Sequence, residues 1–376
     1  IYKNIFSYIL FLFLDFLFCQ NFNYDNDDWY ILTQPGVINS IAEDNYNVYF
    51  VAENGIYTFN KITEDIKYDY EFSIQSNFEK IRYMLYDDYR DYYWIVHSKG
   101  VSFKSSVSSI WRDMSFSNSG IFNAYQIDDL GYSPEYIWIR SMDELYPFDP
   151  FTAQFIKSEE AFSEIDMVNW GYSKYGVSGE NINISSFLIE GEWFVGINRI
   201  YSNQNGRELH PNLLMEDKEG NLWFGTDEGY LLKGWRHSNR LELIRIGLPF
   251  NNVTISFLDS DGSWWFSDSQ FKRTGELLNS KNNNDPFIAS WQESDNYWTF
   301  YDRKKSHVIQ NMDVNSINRI GSIMYFGTMS GLLYLDLYNN DWNIINTSNG
   351  LNDFAIWDII EYDNSMYVAT TNGINE

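Results

Sequence analysis

Cysteine is nearly absent from this sequence: the 376 residues contain only one, Cys19. The sequence therefore predicts no disulfide within the chain. Histidine is almost as scarce. The four histidines are His97, His210, His237 and His307, and no two of them stand at the spacing of metal ligands. We therefore expect no metal site.

Basic residues are also few, since 26 lysines and arginines stand against 52 aspartates and glutamates, for a formal net charge of −26. Such a chain repels the phosphates of nucleic acids and the headgroups of anionic membranes, so neither is an expected partner. Solubility is the simplest explanation of the excess of acid.

The common catalytic motifs are missing as well, because GxSxG, the phosphate-loop GK[ST] and HExxH do not occur. We therefore expect no enzyme activity, no catalytic residue and no cofactor. A carbohydrate-active enzyme stays as the alternative, because 52 acidic residues offer many pairs of carboxylates of the kind that glycosidases use.

Aromatic residues, by contrast, make up 19% of the sequence and hydrophobic residues 44%, which excludes a disordered chain. Residues 214–232, LMEDKEGNLWFGTDEGYLL, show how they are arranged: short apolar runs alternate with turns at Gly220 and Gly229. Runs of this kind, bounded by Asp, Asn and Gly, predict short antiparallel strands joined by tight hairpins. One such unit cannot bury its own faces, so it is expected to recur.

The unit does recur, with a mean period of about 40 residues, which is typical of the blades of a propeller. Its marker is the aromatic residue six positions before the glycine of the second turn. The markers are Tyr49, Trp94, Trp138, Trp193, Trp223, Trp265, Trp298, Tyr325 and Tyr367. The copies at Trp193 and Trp298 are degenerate, and the glycine itself is present after Tyr49, Trp94, Trp223, Tyr325 and Tyr367.

We therefore predict an all-β protein, a β-propeller of four-stranded antiparallel blades, with about seven to nine blades and eight favoured. Nine markers exceed the usual four to eight blades, so either Trp298 does not mark a separate blade or a second ring begins near the C-terminus. A fragment of a longer repeat protein is the alternative interpretation of the chain.

The N-terminus differs from the rest of the sequence. Residues 1–19 resemble a secretory signal peptide, since Lys3 precedes an apolar run that is too short and too interrupted for a membrane span. Residues 20–27 form an acidic spacer, and residues 28–376 are assigned to the propeller. We expect an exported protein, periplasmic or extracellular. Lipidation of Cys19 is an alternative that Phe18 disfavours, because that position normally requires a small residue.

The repeated pattern of an acid, a glycine turn, LWFGT and a second glycine resembles the two-component regulator propeller repeat. The residues that carry it are Asp217, Gly220, residues 222–226 and Gly229, together with residues 145–155, 325–336 and 367–373. The resemblance implies the periplasmic sensor region of a hybrid two-component histidine kinase, typically a seven-bladed propeller. Some such sensors recognise polysaccharide breakdown products, and other members are standalone secreted propellers.

The residues of the motif are expected to be structural. In four copies an aspartate precedes the first hairpin, where it can accept bonds from the amides of the turn, and none of the four has the spacing of a calcium loop. These acids are Asp44, Asp88, Asp217 and Asp259. Gly225 and Gly327 are expected where neighbouring sheets approach closely. The tryptophan markers are expected to pack between blades, with sugar stacking as the functional alternative.

The candidate ligand-binding residues are Trp170, Tyr172 and Tyr175. They lie in the longest spacing between markers, 55 residues from Trp138 to Trp193, and an insertion of this kind is where binding loops tend to lie. The alternative is that these aromatic side chains fold back on the sheet. The expected ligand is an oligosaccharide or another small molecule.

The predicted function is a non-catalytic ligand-sensing propeller, the input region of a two-component signalling receptor. A parent receptor would bring a protein partner or dimerisation with it. The alternative is a standalone secreted propeller for interaction or adhesion.

Overall fold

Short antiparallel strands account for nearly all of the regular structure. The structure, a computed structural model, describes residues 32–376 except residues 74–80, 115, 117–118, 122–123, 143, 153, 175–183, 185, 190–192, 197–199, 204–207, 251–252, 268–287, 295–296, 302–305 and 310–312. The described residues form eight sheets, which we number 1 to 8 along the chain.

Sheets 1 to 3 contain the first eleven strands, and in each sheet successive strands are hydrogen-bonded neighbours. The strands are β1 Ile38–Glu43, β2 Asn47–Ala52, β3 Gly55–Asn60 and β4 Ile66–Tyr68 in sheet 1; β5 Ile81–Asp87, β6 Tyr92–His97, β7 Gly100–Ser105 and β8 Arg112–Asp113 in sheet 2; and β9 Ile127–Tyr132, β10 Ile137–Ser141 and β11 Glu144–Phe148 in sheet 3.

Six short strands follow, and three of them join sheets formed by other parts of the chain. They are β12 Asn169–Trp170, β13 Tyr172–Ser173, β14 Leu188–Ile189, β15 Trp193–Val195, β16 Tyr201–Asn203 and β17 Glu208–Leu209. Strand β12 joins sheet 3 beside β9, and β13 joins sheet 1 beside β1. Strand β14 joins sheet 5, while β15 to β17 form sheet 4.

Sheets 5 to 8 contain the remaining strands, again in chain order within each sheet. They are β18 Pro211–Glu216, β19 Asn221–Thr226, β20 Tyr230–Trp235 and β21 Arg240–Arg245 in sheet 5; β22 Ile255–Leu258, β23 Ser263–Ser267, β24 Ile288–Gln292 and β25 Tyr297–Tyr301 in sheet 6; β26 Val314–Ile320, β27 Ile323–Thr328, β28 Gly331–Asp336 and β29 Asp341–Ile345 in sheet 7; and β30 Ile356–Tyr362, β31 Ser365–Thr370 and β32 Gly373–Asn375 in sheet 8.

Helices are few and short among the described residues. They are α1 Tyr70–Ser73, α2 Glu159–Phe162 and the 3₁₀ turns Ala124–Gln126, Ile165–Met167 and Thr347–Asn349. No helix of the described part of the chain is long and apolar enough to cross a membrane. The predicted signal peptide and acidic spacer, residues 1–27, lie outside the described residues.

A β-bulge recurs in the pairing of the first and second strands of six sheets. The bulge adds one residue to the first strand, so side chains three positions apart reach the same face. Ile38 and Ile41 thus share one core, and Ile356 and Ile359 share another. The alternation of a regular strand would have placed each pair on opposite faces.

The sheets pack face to face in two series. In the first series, sheet 1 lies between sheets 5 and 2, and sheet 2 packs on sheet 3. In the second, sheet 7 lies between sheets 6 and 8. Aromatic rings fill these cores, as where Trp223 of sheet 5 meets Phe50 of sheet 1 at 5.2 Å between centroids. Sheet 5 is therefore the neighbour of sheet 1 although most of the first series separates them in sequence.

Amide side chains at the bulges tie one sheet to the next. Asn212 Nδ2 donates to the carbonyl of Ile38 at 2.9 Å, from sheet 5 to sheet 1. Asn315 Nδ2 donates to the carbonyl of Ile356 at 2.8 Å, from sheet 7 to sheet 8. Sheets 5 and 1 are therefore packed in the same way as sheets 7 and 8, although sheet 1 does not follow sheet 5 in sequence.

The glycines of the LWFGT-type motifs lie at the same contacts. A Cβ on Gly225 would lie 2.8 Å from Ile38 Cγ2, and one on Gly327 would lie 2.7 Å from Ile356 Cγ2. Both distances are too short for a carbon contact, because the next sheet approaches here. The prediction that these two glycines allow close approach of neighbouring sheets is confirmed.

The predicted fold, an all-β propeller of four-stranded antiparallel blades, is confirmed by these sheets and by their face-to-face packing. The number of blades in one ring stays a prediction. Of the tryptophan markers, Trp94, Trp138, Trp193, Trp223 and Trp265 are buried as expected. Trp298 is different, because it lies in β25, the outer strand of sheet 6, and marks no separate blade.

Candidate functional site

Two of the three predicted ligand-binding residues lie in one short segment, residues 169–174, which we call the central segment. Trp170 belongs to β12 and Tyr172 to β13. Tyr175 lies outside the described residues. Both described side chains are half-buried. A role of these residues in ligand binding stays a prediction.

The central segment runs antiparallel to the first strands of sheets 3 and 1. Its first half pairs with β9, with Trp170 opposite Gly131. Its second half pairs with β1, with Tyr172 opposite Ile41 and Ser173 opposite Ser40. The segment also contacts β18, the first strand of sheet 5. The segment therefore lies along the free edges of the first strands of sheets 3 and 1 and beside the first strand of sheet 5.

Gly171 is the position at which the central segment passes over sheet 2. A Cβ there would lie 2.4 Å from the hydroxyl oxygen of Tyr83 and 3.0 Å from Leu85 Cδ1. The Gly171 amide donates to the carbonyl of Leu130 at 3.0 Å. Only a residue without a side chain fits under these contacts without displacing Tyr83, which is itself buried and donates to Asp129.

Side chains add to the main-chain pairing. The guanidinium of Arg140 lies over the ring of Trp170, 4.5 Å from its centroid, which is a cation–π contact. The hydroxyl of Ser40 donates to the carbonyl of Tyr172 at 2.8 Å. The Tyr172 ring packs against the core between sheets 1 and 5. Burial raises the pKa of Tyr172, and the carboxylates of Glu43 and Glu216 raise it further.

The far end of the central segment is held by Lys174. Its amide donates to the carbonyl of Asn39 at 2.8 Å, and its ammonium lies 2.5 Å from a carboxylate oxygen of Asp227. Asn212 also donates to Asp227, at 2.9 Å. Burial raises the pKa of Asp227, but the bonds from Lys174 and Asn212 outweigh burial, so the pKa lies below its ordinary value.

A second group of polar residues lies at the first hairpin turns of sheets 1, 2 and 5, residues 44–46, 88–91 and 217–220, which we call the turn end. Asp44 accepts bonds from the amides of Tyr46 and Asn47, both at 2.7 Å, and from the hydroxyls of Tyr49 and Tyr93 at 2.7 and 2.6 Å. Burial raises the pKa of Asp44, but these four bonds together outweigh it and lower the pKa.

Asp217 has the same role in sheet 5. It accepts from the amides of Glu219 and Asn221 and from the indole of Trp223, the last at 2.8 Å. The prediction that these acids bind turn amides is confirmed for both. In sheet 2, however, the residue with this role is Asp87, which accepts from the Tyr89 amide at 3.0 Å, and not the expected Asp88.

Ion pairs connect the turns across sheet boundaries. Lys61 lies 2.8 Å from Glu43 and 2.9 Å from Glu219, and so links sheets 1 and 5. Lys218 of sheet 5 reaches Asp88 of sheet 2 at 3.1 Å. Burial raises the pKa of Glu43 above its ordinary value, although the bond from Lys61 lowers it in part. The three turns therefore converge.

Two tyrosines at the turn end were not predicted as site residues. Tyr46 is 62% exposed and Tyr89 is 58% exposed, each at the tip of its turn. Tyr89 also has an edge-on ring contact with Tyr132 at 5.7 Å. The sequence signal for them is an aromatic residue inside an otherwise polar turn, EDNYN in sheet 1 and YDDYRD in sheet 2. The corresponding turn of sheet 5, EDKEGN, has no aromatic residue.

Histidine chemistry is sparse in the described part of the chain. His97 is buried, its Nε2 lies 2.9 Å from Ser102 Oγ, and that hydroxyl donates to Asp113 at 2.6 Å. Ser102 thus lies between His97 and Asp113, whereas in a hydrolytic triad the histidine lies between the serine and the aspartate. Burial lowers the pKa of His97 to about 4. The described residues contain no cluster of His, Cys, Asp or Glu that could hold a metal.

Comparison with known sequences finds a match to one repeat family over a single unit of the chain. Residues 209–228, which include β18 and β19 of sheet 5, match the repeat described as two component regulator propeller. The resemblance inferred from the sequence is thereby confirmed for this unit. No curated protein matches the chain.

Several solved structures are similar to the chain at low identity. The extracellular domain of a putative hybrid two component system from B. thetaiotaomicron is 14% identical, over 90% of this chain and 39% of that one, with a TM-score of 0.27. That of a putative one component system from the same organism is 12% identical, over 90% and 53%, with a TM-score of 0.26.

PorZ, a surface component of the type-IX secretion system of Porphyromonas gingivalis, is 11% identical over 92% of this chain and 58% of its own, with a TM-score of 0.47. The chain therefore spans less than two thirds of each of these three structures. Because all three TM-scores are below 0.5, the fold rests on the sheets of this chain themselves.

Proposed function

We propose that this chain is a non-catalytic, ligand-sensing β-propeller of an exported receptor, and that its ligand binds at the turn end. The observation that carries the proposal is the convergence of the first turns of sheets 1, 2 and 5, which brings two exposed tyrosines to tips held in place by buried aspartates. Rigid sheets with variable turns are the usual arrangement for binding in a propeller.

The chemistry of the turn end suits a neutral, hydroxyl-rich ligand such as an oligosaccharide. The exposed rings of Tyr46 and Tyr89 offer faces on which a sugar stacks. Glu219, Asp88 and Lys218 are partly exposed beside them and can accept or donate bonds to hydroxyl groups. The formal net charge of −26 disfavours an anionic ligand.

The experiment is a binding screen of the purified chain against a panel of neutral oligosaccharides, with affinities measured by calorimetry. Removing both rings by Tyr46→Ala and Tyr89→Ala is expected to weaken binding by roughly 10- to 100-fold, since each stacking contact contributes about 0.5 to 1.5 kcal/mol and two are removed. Tyr338→Ala is the matched control, because Tyr338 is 89% exposed in the turn after β28 of sheet 7. Equal loss in the control would place the ligand elsewhere.

The same panel tests the non-catalytic character. We expect each oligosaccharide to be recovered intact after long incubation with the protein. Hydrolysis that is lost on changing one carboxylate of the turn end, such as Asp88→Asn, would instead identify a carbohydrate-active enzyme.

A second candidate function, protein interaction or adhesion, is favoured by sheet 8. Large apolar side chains are exposed on the side away from sheet 7: Trp357, Ile360, Tyr362 and Ile374. Exposed apolar surface of this kind marks an interaction surface. Sedimentation of the wild-type chain against the Ile360→Asp variant tests it, and a monomer in both cases, together with oligosaccharide binding, leaves the sensor as the function.

A further inference from the structure

The central segment adds short strands to two sheets, beyond the four-stranded pattern of the repeat. Sheets 2, 6 and 7 have four strands in the same order, and in the described residues no further strand pairs with their first strands. Sheets 1 and 3 gain β13 and β12 at that edge. The edges of β1 and β9 therefore act as binding surfaces for an extended chain, and the chain that occupies them comes from the insertion.

The recognition is mainly through the backbone. Trp170 and Ser173 lie in register with the first strands, and the amides of Gly171 and Lys174 donate to carbonyls of β9 and β1. Addition of a strand to an open sheet edge is a common way for proteins to bind extended peptides. Main-chain bonds supply affinity in such sites, and the flanking side chains supply specificity.

Three contacts would select the sequence of a bound peptide. Gly171 is required because Tyr83 leaves no room for a Cβ. The residue before it stacks under Arg140, which favours an aromatic ring. The residue three positions after it meets Asp227, which favours lysine. The matching pattern is aromatic, glycine, aromatic, small, lysine.

We propose that the space along the first strands of sheets 3, 2 and 1 is a binding site for an extended peptide, and that residues 169–174 are its intramolecular occupant. The ligand class is a peptide with the pattern of the central segment. The site is distinct from the turn end and does not depend on an oligosaccharide being bound there.

The strand pairing of the occupant is short, which favours its exchange for another peptide. Each half of the segment contributes only two residue pairs. Its advantage over a free peptide is that it is tethered, and a tether gives an effective concentration on the order of millimolar. A free peptide at lower concentration competes poorly with the wild-type chain, whereas a chain whose own segment cannot bind should accept it.

The test uses two variants of the whole chain. Gly171→Leu puts a side chain into the position filled by Tyr83 and should expel the segment. The second variant replaces residues 169–174 by an equally long glycine–serine linker. The probe is a fluorescent peptide of sequence NWGYSK, and the control peptide is NWLYSK. Both variants are expected to bind the probe at least about tenfold more tightly than the wild type does, because the tethered competitor is gone. Neither variant should bind the control.

The outcomes are decisive in each direction. Tight binding of the probe to the linker variant, with recovery of its thermal stability on adding the probe, supports the proposal even if Gly171→Leu fails to fold. Two folded variants that bind the probe no better than the control overturn it. A linker variant that does not fold also overturns it, because the segment is then an integral part of the sheets. None of these results bears on oligosaccharide binding at the turn end.

Discussion

Sheets 7 and 8 have nearly the same strand pairing, yet only one of them is covered on both faces. Leu332, at the start of β28, is 1% exposed because sheet 8 packs over it. Ile374 has the corresponding position in sheet 8 and is 70% exposed. Asn318 of sheet 7 donates to the carbonyl of Ile359 at 2.9 Å, and its counterpart in sheet 8 is the exposed Ile360.

Equivalent positions of the repeat therefore differ in solvent exposure from one sheet to the next. Residues on the side toward the preceding sheet are buried in both cases, as Phe326 and Val368 are. Residues on the other side are buried only where a further sheet is present. The contribution of a residue to the free energy of unfolding therefore depends on the neighbouring sheet as much as on the position of the residue in the repeat.

The largest expected effect tests the side that is covered in both sheets. Phe326 is fully buried, with its ring 5.4 Å from that of Trp342 and 5.8 Å from that of Trp265. Phe326→Ala should lower the free energy of unfolding by about 3 to 5 kcal/mol, measured by urea denaturation. Val368→Ala should also destabilise, by less, since fewer atoms are removed. An unchanged Val368→Ala would mean that sheet 8 is not packed on sheet 7.

The next test addresses the side covered in sheet 7 alone. Leu332→Ala should cost about 2 to 5 kcal/mol, because it leaves a cavity between two sheets. Ile374→Ala should change the free energy of unfolding by less than about 0.5 kcal/mol, because its side chain is already in water. Similar losses in both variants would break the comparison and show that the far side of sheet 8 is covered in solution.

A smaller effect is expected for the bond between the two sheets. Asn318→Ala removes the donor to the Ile359 carbonyl and should cost about 0.5 to 1.5 kcal/mol. Its matched control, Ile360→Ala, should be close to neutral. If thermal unfolding shows the same midpoint for wild type and Asn318→Ala, the amide bond contributes nothing to the packing of sheet 8.

The smallest effect extends the comparison to acid stability. Sheet 8 closes its first hairpin with the exposed residues Asp363 and Asn364, whereas sheet 1 has the buried carboxylate of Asp44. A pKa below its ordinary value means that Asp44 stabilises the fold above about pH 4 and loses this contribution as the pH falls through the lowered pKa.

Asp44→Asn should therefore reduce stability at neutral pH and flatten its decline in acid, followed by circular dichroism between pH 7 and pH 2. Asp363→Asn is the control and should leave the acid profile as it is in the wild type. A profile that moves equally in both variants would show that the four bonds to Asp44 do not set the acid response.

Much of the fold could be predicted because the repeat is local. Strand, turn and strand follow one another within about 15 residues, and the pairing of neighbours needs no knowledge of the rest of the chain. The close approach at Gly225 and Gly327 could be predicted for the same reason, since a glycine inside a strand indicates a crowded backbone. Trp298 resembles a marker because an aromatic residue of an outer strand has the same composition signal, and of the two alternatives given for it, the structure supports the one in which it marks no separate blade.

The packing of sheet 5 on sheet 1 could not be predicted from the sequence. Every copy presents the same kind of face, so the pattern does not identify which copy lies next to which. The central segment escaped prediction for a different reason. Its two strands have two residues each and are separated by Gly171, so they are too short to show the alternation of apolar and polar residues from which a strand is predicted. The length of the insertion indicates the candidate residues, but it contains no signal for the pairing of Trp170 with β9 and of Tyr172 with β1.

The contact between sheets 5 and 1 also bears on how the molecule forms. The bond from Asn212 to Ile38 joins residues 174 positions apart, whereas the bond from Asn315 to Ile356 joins residues 41 positions apart. Contacts between distant parts of a chain form late and slow the folding reaction. One apolar face of sheet 1 therefore stays uncovered during synthesis until β18 to β20, which end at Trp235, have been made, whereas sheets 6, 7 and 8 each pack on a sheet that is adjacent in sequence.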